Sequence, residues 1–255
     1  MSGLAHAHVL YLHGDSPVHR MPPQVKLVGL LLFAGSVVAL PRDAFWAYFL
    51  AACLLAGVVI LAEIPVRTVA MRLLIEVPFL FFALFLPFIS RGEQVSVLGL
   101  SLSVEGLWGA WTIVAKGTLG VCGSIVLAAT TPAPELIRGL DRIRVPRVMT
   151  AIISLMVRYL DIVIEEFSRR SIAMASRGYR PRWLWQVGPM ATSAGSLFIR
   201  SFERGERLHQ AMVARGFNGR MPSFGETAAT RAEWLAGLSV PAAVTVMAVL
   251  AGTVL

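Results

Sequence analysis

Five stretches of the chain are almost continuously apolar: Leu27–Leu40, Phe45–Glu63, Leu73–Ile89, Leu107–Ala129 and Trp234–Leu255. A helix that crosses a bilayer needs about 20 mostly apolar residues, within a range of about 17 to 25. The last four stretches meet that length. The first is short and needs Val25 or local bilayer thinning to cross. Only four residues separate the first two, and the tight Pro41-Arg42-Asp43 turn among them predicts a helical hairpin. Pro78 and Pro87, set among Phe79, Phe81, Phe82, Phe85 and Phe88, predict a kinked third span with an aromatic face.

Between Thr131 and Glu233 the pattern changes. Two apolar stretches, Val148–Val157 and Val187–Ile199, are bounded by Arg147, Arg158, Arg182 and Arg200. Each is too short to cross, so both are expected in buried or interfacial helices. Thr131-Pro132 with Glu135 predicts a helix start, with Thr131 as the cap. Pro146 interrupts, and a longer helix is expected from Arg147 towards Ser176. Pro181 and Gly188-Pro189 precede a third helix ending near Gly216. The predicted fold is an all-α membrane protein of about five transmembrane helices, with a helical domain between the fourth and fifth. Its organisation is a polar leader (1–24), four spans (25–130), a cytoplasmic helical segment (131–233) and a final span (234–255).

Charge fixes the orientation. Charged residues make up 15% of the chain, against about 25% in soluble domains, and the mean hydropathy is +0.69. Sixteen of the 23 basic residues lie between Thr131 and Glu233, and all are Arg. Arg20 and Lys26 precede the first span and Arg67 and Arg72 lie between the second and third, whereas only Arg42 and Arg91 fall in the alternate loops. Cytoplasmic loops retain Lys and Arg, so the N-terminus and the long segment are predicted to be cytoplasmic in a bacterial inner membrane. Met1–Gln24 has no apolar core of a signal peptide, leaving the first span as the targeting signal.

The remaining candidate chemistry is sparse. Cys53 and Cys122 sit singly in apolar runs and read as small buried apolar residues. His6, His8 and His13 lack the further ligands a metal site requires, so no metal or cofactor is expected. No G-x-x-x-x-G-K-[ST] loop is present, and Lys116-Gly117-Thr118 lacks the preceding glycine. No nucleophile, base and ligand set converges as a membrane-embedded enzyme would need, nor is there the polar line of a channel. The basic segment and Trp183 and Trp185 suit anionic headgroups and a membrane interface rather than nucleic acid. Glu76 and Lys116 lie deep in the third and fourth spans, where ionisable residues usually pair, and a mutual ion pair is possible.

The sharpest signal is a repeat. Ala173-Met174-Ala175-Ser176-Arg177-Gly178-Tyr179 recurs 38 residues later as Ala211-Met212-Val213-Ala214-Arg215-Gly216-Phe217. At the same offset Glu165 and Arg169 align with Glu203 and Arg207, and Arg182 with Arg220. Each copy reads as a charged helix supported by a Glu→Arg pair at i, i+4 and closed by a glycine cap. Arg in the last turn suits the helix dipole and leaves its guanidinium free to grip a carboxylate. One Arg-Gly is an ordinary cap; two with matched flanks read as a paired docking device.

Paired Ala-Arg-Gly tips between four spans and a final one resemble the transmembrane (T) components of energy-coupling factor (ECF) transporters. Further stretches carry the likeness: Ser16 to Leu27 at the entry to the first span, Thr130-Thr131-Pro132 followed by Leu140 to Arg147, and Arg158-Tyr159 with Glu165-Glu166. Arg180-Pro181-Arg182 and Phe198 to Arg207 are most similar to the cobalt-type (CbiQ) branch. The resemblance implies a non-catalytic subunit. Its tips, Ser176-Arg177-Gly178 and Ala214-Arg215-Gly216, would dock two ABC-type ATPase subunits that hydrolyse ATP. Its spans would hold a substrate-binding membrane S component, with or without a small accessory membrane subunit. Ser176 stands where the pattern has Ala and is small enough to keep close packing. Cobalt is the implied substrate, with nickel, biotin or another vitamin as alternatives.

Overall fold

The computed structural model describes residues 11–90, 94–97, 100–179, 183, 187–217 and 229–254. Ten α-helices account for nearly all of its regular structure: α1 (Pro17–Arg20), α2 (Pro23–Ala39), α3 (Phe45–Leu61), α4 (Val66–Leu73), α5 (Val77–Ile89), α6 (Val104–Thr130), α7 (Ala133–Arg142), α8 (Arg147–Ser176), α9 (Gly188–Ala214) and α10 (Arg231–Val254). One antiparallel hairpin, β1 (Gln94–Val97) with β2 (Leu100–Ser103), joins α5 to α6. The chain is an all-α membrane protein apart from that hairpin. It divides into two compact units, one built from α7, α8 and α9 and the other from the remaining elements.

In the larger unit, three helices are long and apolar enough to cross a membrane: Val66–Ile89, Val104–Thr130 and Arg231–Thr253. α2 and α3 are shorter apolar helices of 17 residues each. The third span begins earlier than its hydropathy indicated. Pro65 presets the backbone for α4, so Arg67 and Arg72 lie in a helix rather than a loop. A 3₁₀ turn, Leu74–Glu76, joins α4 to α5, and Pro78 follows it in the first turn of α5. Pro87 lies inside α5, where it removes one backbone donor.

Side-chain caps set the starts of α6 and α10. Ser103 Oγ accepts from Gly106 N at 3.4 Å. Thr230 and Glu233 form a reciprocal capping box, with Thr230 N donating to Glu233 Oε2 (2.7 Å) and Glu233 N to Thr230 Oγ1 (3.3 Å). These caps extend both helices beyond their apolar stretches.

The tight turn after α2 does not produce the expected side-by-side hairpin. α2 packs most closely on α10 and next on α6, and α3 packs on α6 and α10. Small residues decide this. A Cβ on Gly29 would stand 3.2 Å from Gly237 O, and a Cβ on Gly237 would meet Val25 Cγ1 at 2.2 Å, so only glycine lets these backbones approach. A cleft of about 210 Å³ separates Leu30 and Phe33 of α2 from Leu55 and Val58 of α3. At the turn, Arg42 lies 5.7 Å from the Trp108 ring, and Phe45, Tyr48 and Trp111 complete an aromatic cluster of the kind found at membrane interfaces.

Cys53 is exposed and Cys122 half-buried, so neither is the fully buried residue expected. In a bilayer the outward face of a helix is as apolar as its inward one, and hydropathy cannot separate them.

In the smaller unit, α8 packs on both α7 and α9. Pro146 caps α8, and Pro189 stands in the first turn of α9. Val148, Ile152 and Met156, four residues apart on α8, are all exposed, and so are Phe198, Ile199 and Phe202 on α9. Each apolar stretch of this unit therefore turns one face outward, while Thr150 and Ala151 on the other face of α8 are buried.

Candidate functional site

The two repeated segments end their helices identically. α8 stops at Ser176 and α9 at Ala214, with Arg177 and Arg215 as the C-cap residues. Gly178 and Gly216 both have φ +82°, the left-handed conformation that L side chains avoid. Gly178 N donates to Ala175 O (3.0 Å) and Tyr179 N to Met174 O (3.1 Å). In the second copy Gly216 N donates to Val213 O and Phe217 N to Met212 O, both at 2.9 Å. Each tip is thus a complete Schellman motif, which closes the helix and turns the chain away.

Burial repeats position by position. Met174 and Met212, and Tyr179 and Phe217, are half-buried, while the four residues between them in each copy are exposed. Arg177 and Arg215 therefore project from rigid helix ends, and among the described residues neither is engaged in an ion pair. The Ser176 hydroxyl donates to Ile172 O at 3.0 Å, so the extra oxygen in the first copy is spent within its own helix.

Replacing Gly178 or Gly216 by Val should cost each tip about 1–2 kcal/mol. The amides of Tyr179 and Phe217, which close the motifs, should then exchange hydrogen roughly 5–30-fold faster. Asn at the same positions should cost less, because it tolerates the left-handed region.

Both Glu→Arg pairs are present. Glu165 and Arg169 lie 2.5 Å apart and Glu203 and Arg207 3.8 Å apart, all exposed; such pairs add about 0.2–0.5 kcal/mol to a helix. A stronger cluster lies beside them. Glu166 Oε1 is 3.1 Å from Arg170 Nη2 and 3.8 Å from Arg200 Nη1, and Glu166 Oε2 is 3.8 Å from Arg204 Nη2. Arg170 also donates to Ser193 O at 3.1 Å and to Ser196 Oγ. Glu166 and Arg170, with side chains about one-fifth exposed, fasten α8 to α9 behind the tips. The i, i+4 spacing of Glu166 and Arg170 was visible in the sequence, but their partners on α9 depend on how the helices pack.

Glu76 and Lys116 do not pair with each other. Glu76 is 4% exposed, accepts from Thr118 Oγ1 at 3.1 Å, and fills the space left by Gly117, whose Cβ would stand 2.7 Å from Glu76 Oε1. Lys116 Nζ donates to Val38 O at 2.7 Å, near the end of α2. Each ionisable group finds a neutral partner instead. The Thr118 hydroxyl and the orphan carbonyls at the end of α2 are the partners within reach.

His6, His8 and Trp185 lie outside the described residues. His13 stacks edge-on against Tyr11 at 4.9 Å, and no group of three His, Cys, Asp or Glu gathers among the described residues. Trp183 is 61% exposed.

A multi-pass helical membrane protein with a separate three-helix unit bearing two like arginine tips is the class that this architecture defines. The CbiQ profile, described as cobalt transport protein, matches residues 14–224. The chain is a member of that family and a transmembrane component of the ECF-transporter type. It is 28% identical over 223 residues to the energy-coupling factor transporter transmembrane protein EcfT of Bacillus selenitireducens, covering 82% of each chain. To EcfT of Lactococcus lactis subsp. cremoris it is 28% identical over 224 residues, 82% of this chain and 83% of the other. To the cobalt transport protein CbiQ of Rhodobacter capsulatus it is 31% identical over 144 residues, 53% of this chain and 58% of the other.

Proposed function

We propose that this chain is the coupling subunit of an ATP-driven importer, transmitting the motion of two ABC-type ATPase subunits to a substrate-binding membrane subunit. The observation that carries the reading is the pair of Schellman-capped tips, alike in backbone geometry and burial. In this reading Ser176-Arg177-Gly178 and Ala214-Arg215-Gly216 each dock one ATPase. Each exposed guanidinium grips a carboxylate, beside the aromatic Tyr179 or Phe217. The chain itself is non-catalytic. Residues 131–233 and the N-terminus face the cytoplasm, and the four spans of 25–130 with the final span of 234–255 form the membrane part.

ATP binding would draw the two ATPases together and displace the tips. A ligand shifts a conformational equilibrium only by binding its states unequally, so each tip must be held differently in the open and closed ATPase dimers. The exposed phenylalanines of α5, including Phe79, Phe81 and Phe82, offer the membrane-facing surface for the substrate-binding subunit.

Cobalt is the proposed substrate, on the description of the matching family and the R. capsulatus relative. The second reading is a nickel, biotin or other vitamin system, because the EcfT relatives, which cover more of the chain, carry a transporter name with no substrate in it. Expression together with ATPase and substrate-binding subunits from the same host, in cells lacking cobalt uptake, should confer accumulation of radiolabelled Co²⁺. Accumulation of Ni²⁺ or biotin instead would replace cobalt by that substrate. No ATP-dependent uptake of any of them would overturn the importer reading.

A further inference from the structure

The end of α6 is held from the N-terminal side of the chain. Leu12 N donates to Ala129 O at 2.9 Å, and Lys26 Nζ donates to Thr130 O at 3.0 Å. The last four carbonyls of a helix have no partner within it, and a cation at that end is favoured by the helix dipole. The same ammonium donates to Thr131 Oγ1 and to His19 O, both at 3.1 Å. One charge therefore gathers the C-terminal ends of α1 and α6. The His19 ring bridges Leu12 O (3.0 Å) and Ser16 Oγ (2.7 Å) behind it. Ser16, Thr130 and Thr131 are all at most 2% exposed.

The position of this clasp in the chain gives it meaning. Thr131 was expected to cap the following helix, yet it is the last cap of α6, in extended conformation, with its hydroxyl turned to Lys26. Two residues later α7 begins, so at Thr131-Pro132 the chain leaves the end of α6 for the three-helix unit, from which it returns only ahead of α10. Lys26 stands in the first turn of α2, which packs most closely on α10 and next on α6. A displacement of the chain at Thr131 is thus passed to α2, and through it to α10, by a half-buried polar contact instead of by apolar side chains alone.

Lys116 provides the internal comparison. It makes the reciprocal contact, from α6 to Val38 O near the end of α2, with one hydrogen bond among the described residues and no connection to the exit of the chain. We propose that Lys26 is the positioning residue through which movement of the three-helix unit enters the spans, and Lys116 only a structural tie. The assignment rests on the coupling function proposed above.

The test uses the complete complex with its ATPase and substrate-binding subunits in proteoliposomes, reading ATP hydrolysed per Co²⁺ taken up. Lys26→Met should keep hydrolysis within about twofold of wild type while uptake falls on the order of tenfold. Lys26→Arg, which can still donate to several acceptors, should recover most of the uptake. Lys116→Met should leave the ratio unchanged. If Lys26→Met does not accumulate, Thr131→Val deletes one acceptor and should lower uptake per ATP about threefold. A wild-type ratio in the Lys26→Met complex (or in Thr131→Val, where that is the variant read) overturns the assignment. A parallel fall of hydrolysis and uptake does the same, because it marks a purely structural role. Should the wild-type complex itself fail to couple hydrolysis to uptake, the coupling function and this assignment fall together.

Discussion

Arg177→Glu combined with Arg215→Glu is expected to abolish ATPase docking while leaving the protein folded. Both side chains are exposed and neither takes part in an ion pair among the described residues, so their reversal removes no internal contact. Across an interface the effect is different. Losing one partner of a hydrogen-bonded charge pair costs about 2–5 kcal/mol, and reversal adds repulsion. Two tips lost together should lower affinity for the ATPases at least about a thousand-fold. The single variants should behave otherwise. With one tip engaged, the second ATPase is still recruited locally, so a singly reversed protein should retain ATPase on a column while transport falls steeply. Cooperative unfolding in all three variants, with no more than the small loss expected of a negative charge at each helix C-terminus (about 0.3–1 kcal/mol), would confirm that docking alone was removed.

Gly237→Leu should produce the largest loss of stability. The first carbon of any side chain there would lie 2.2 Å from Val25 Cγ1. Val25 is fully buried and branched at Cβ, so it cannot turn aside. Overpacking of this kind costs about 1–3 kcal/mol, a fall in the unfolding midpoint of roughly 2–12 °C. Gly35→Leu on α2, the helix that faces Gly237, is the control, because a Cβ there meets nothing within 4 Å. Equal midpoints for the two variants would show that the α2–α10 contact does not depend on glycine.

What the sequence disclosed follows from the range of the forces involved. The ends of α8 and α9 could be read from Arg-Gly because a left-handed cap is a local requirement, and Ser176 and Ala214 are where those helices stop. The apolar stretches likewise announced the membrane class. Hydropathy was less able to place helix starts. It missed the Pro65 cap that takes Arg67 and Arg72 into α4, and it passed over the capping box Thr230-Arg231-Ala232-Glu233, a local signal in polar residues. The Gln94–Val97 strand alternates polar and apolar residues, yet it was overshadowed by the spans on either side.

Partners across long sequence separations stayed hidden. The tight turn after α2 suggested a hairpin, but the neighbour of α2 is fixed by Gly29 and Gly237, more than 200 residues apart. Glu76 and Lys116 suggested one another by charge, whereas Thr118 and the end of α2 are what each of them meets. The sequence could show Glu166 and Arg170 as one more helical pair, and only packing brings Arg200 and Arg204 to them.

The central claim is that the arginine tips bind ATPases, and co-purification from the native host tests it most directly. The tagged protein would be isolated in mild detergent with ATP present, and its bound subunits identified by mass spectrometry. The expected result is recovery of ABC-type ATPase together with a second membrane protein, and loss of the ATPase alone from the Arg177→Glu, Arg215→Glu protein. Recovery of this chain by itself, or an ATPase that remains bound to the doubly reversed protein, would contradict it.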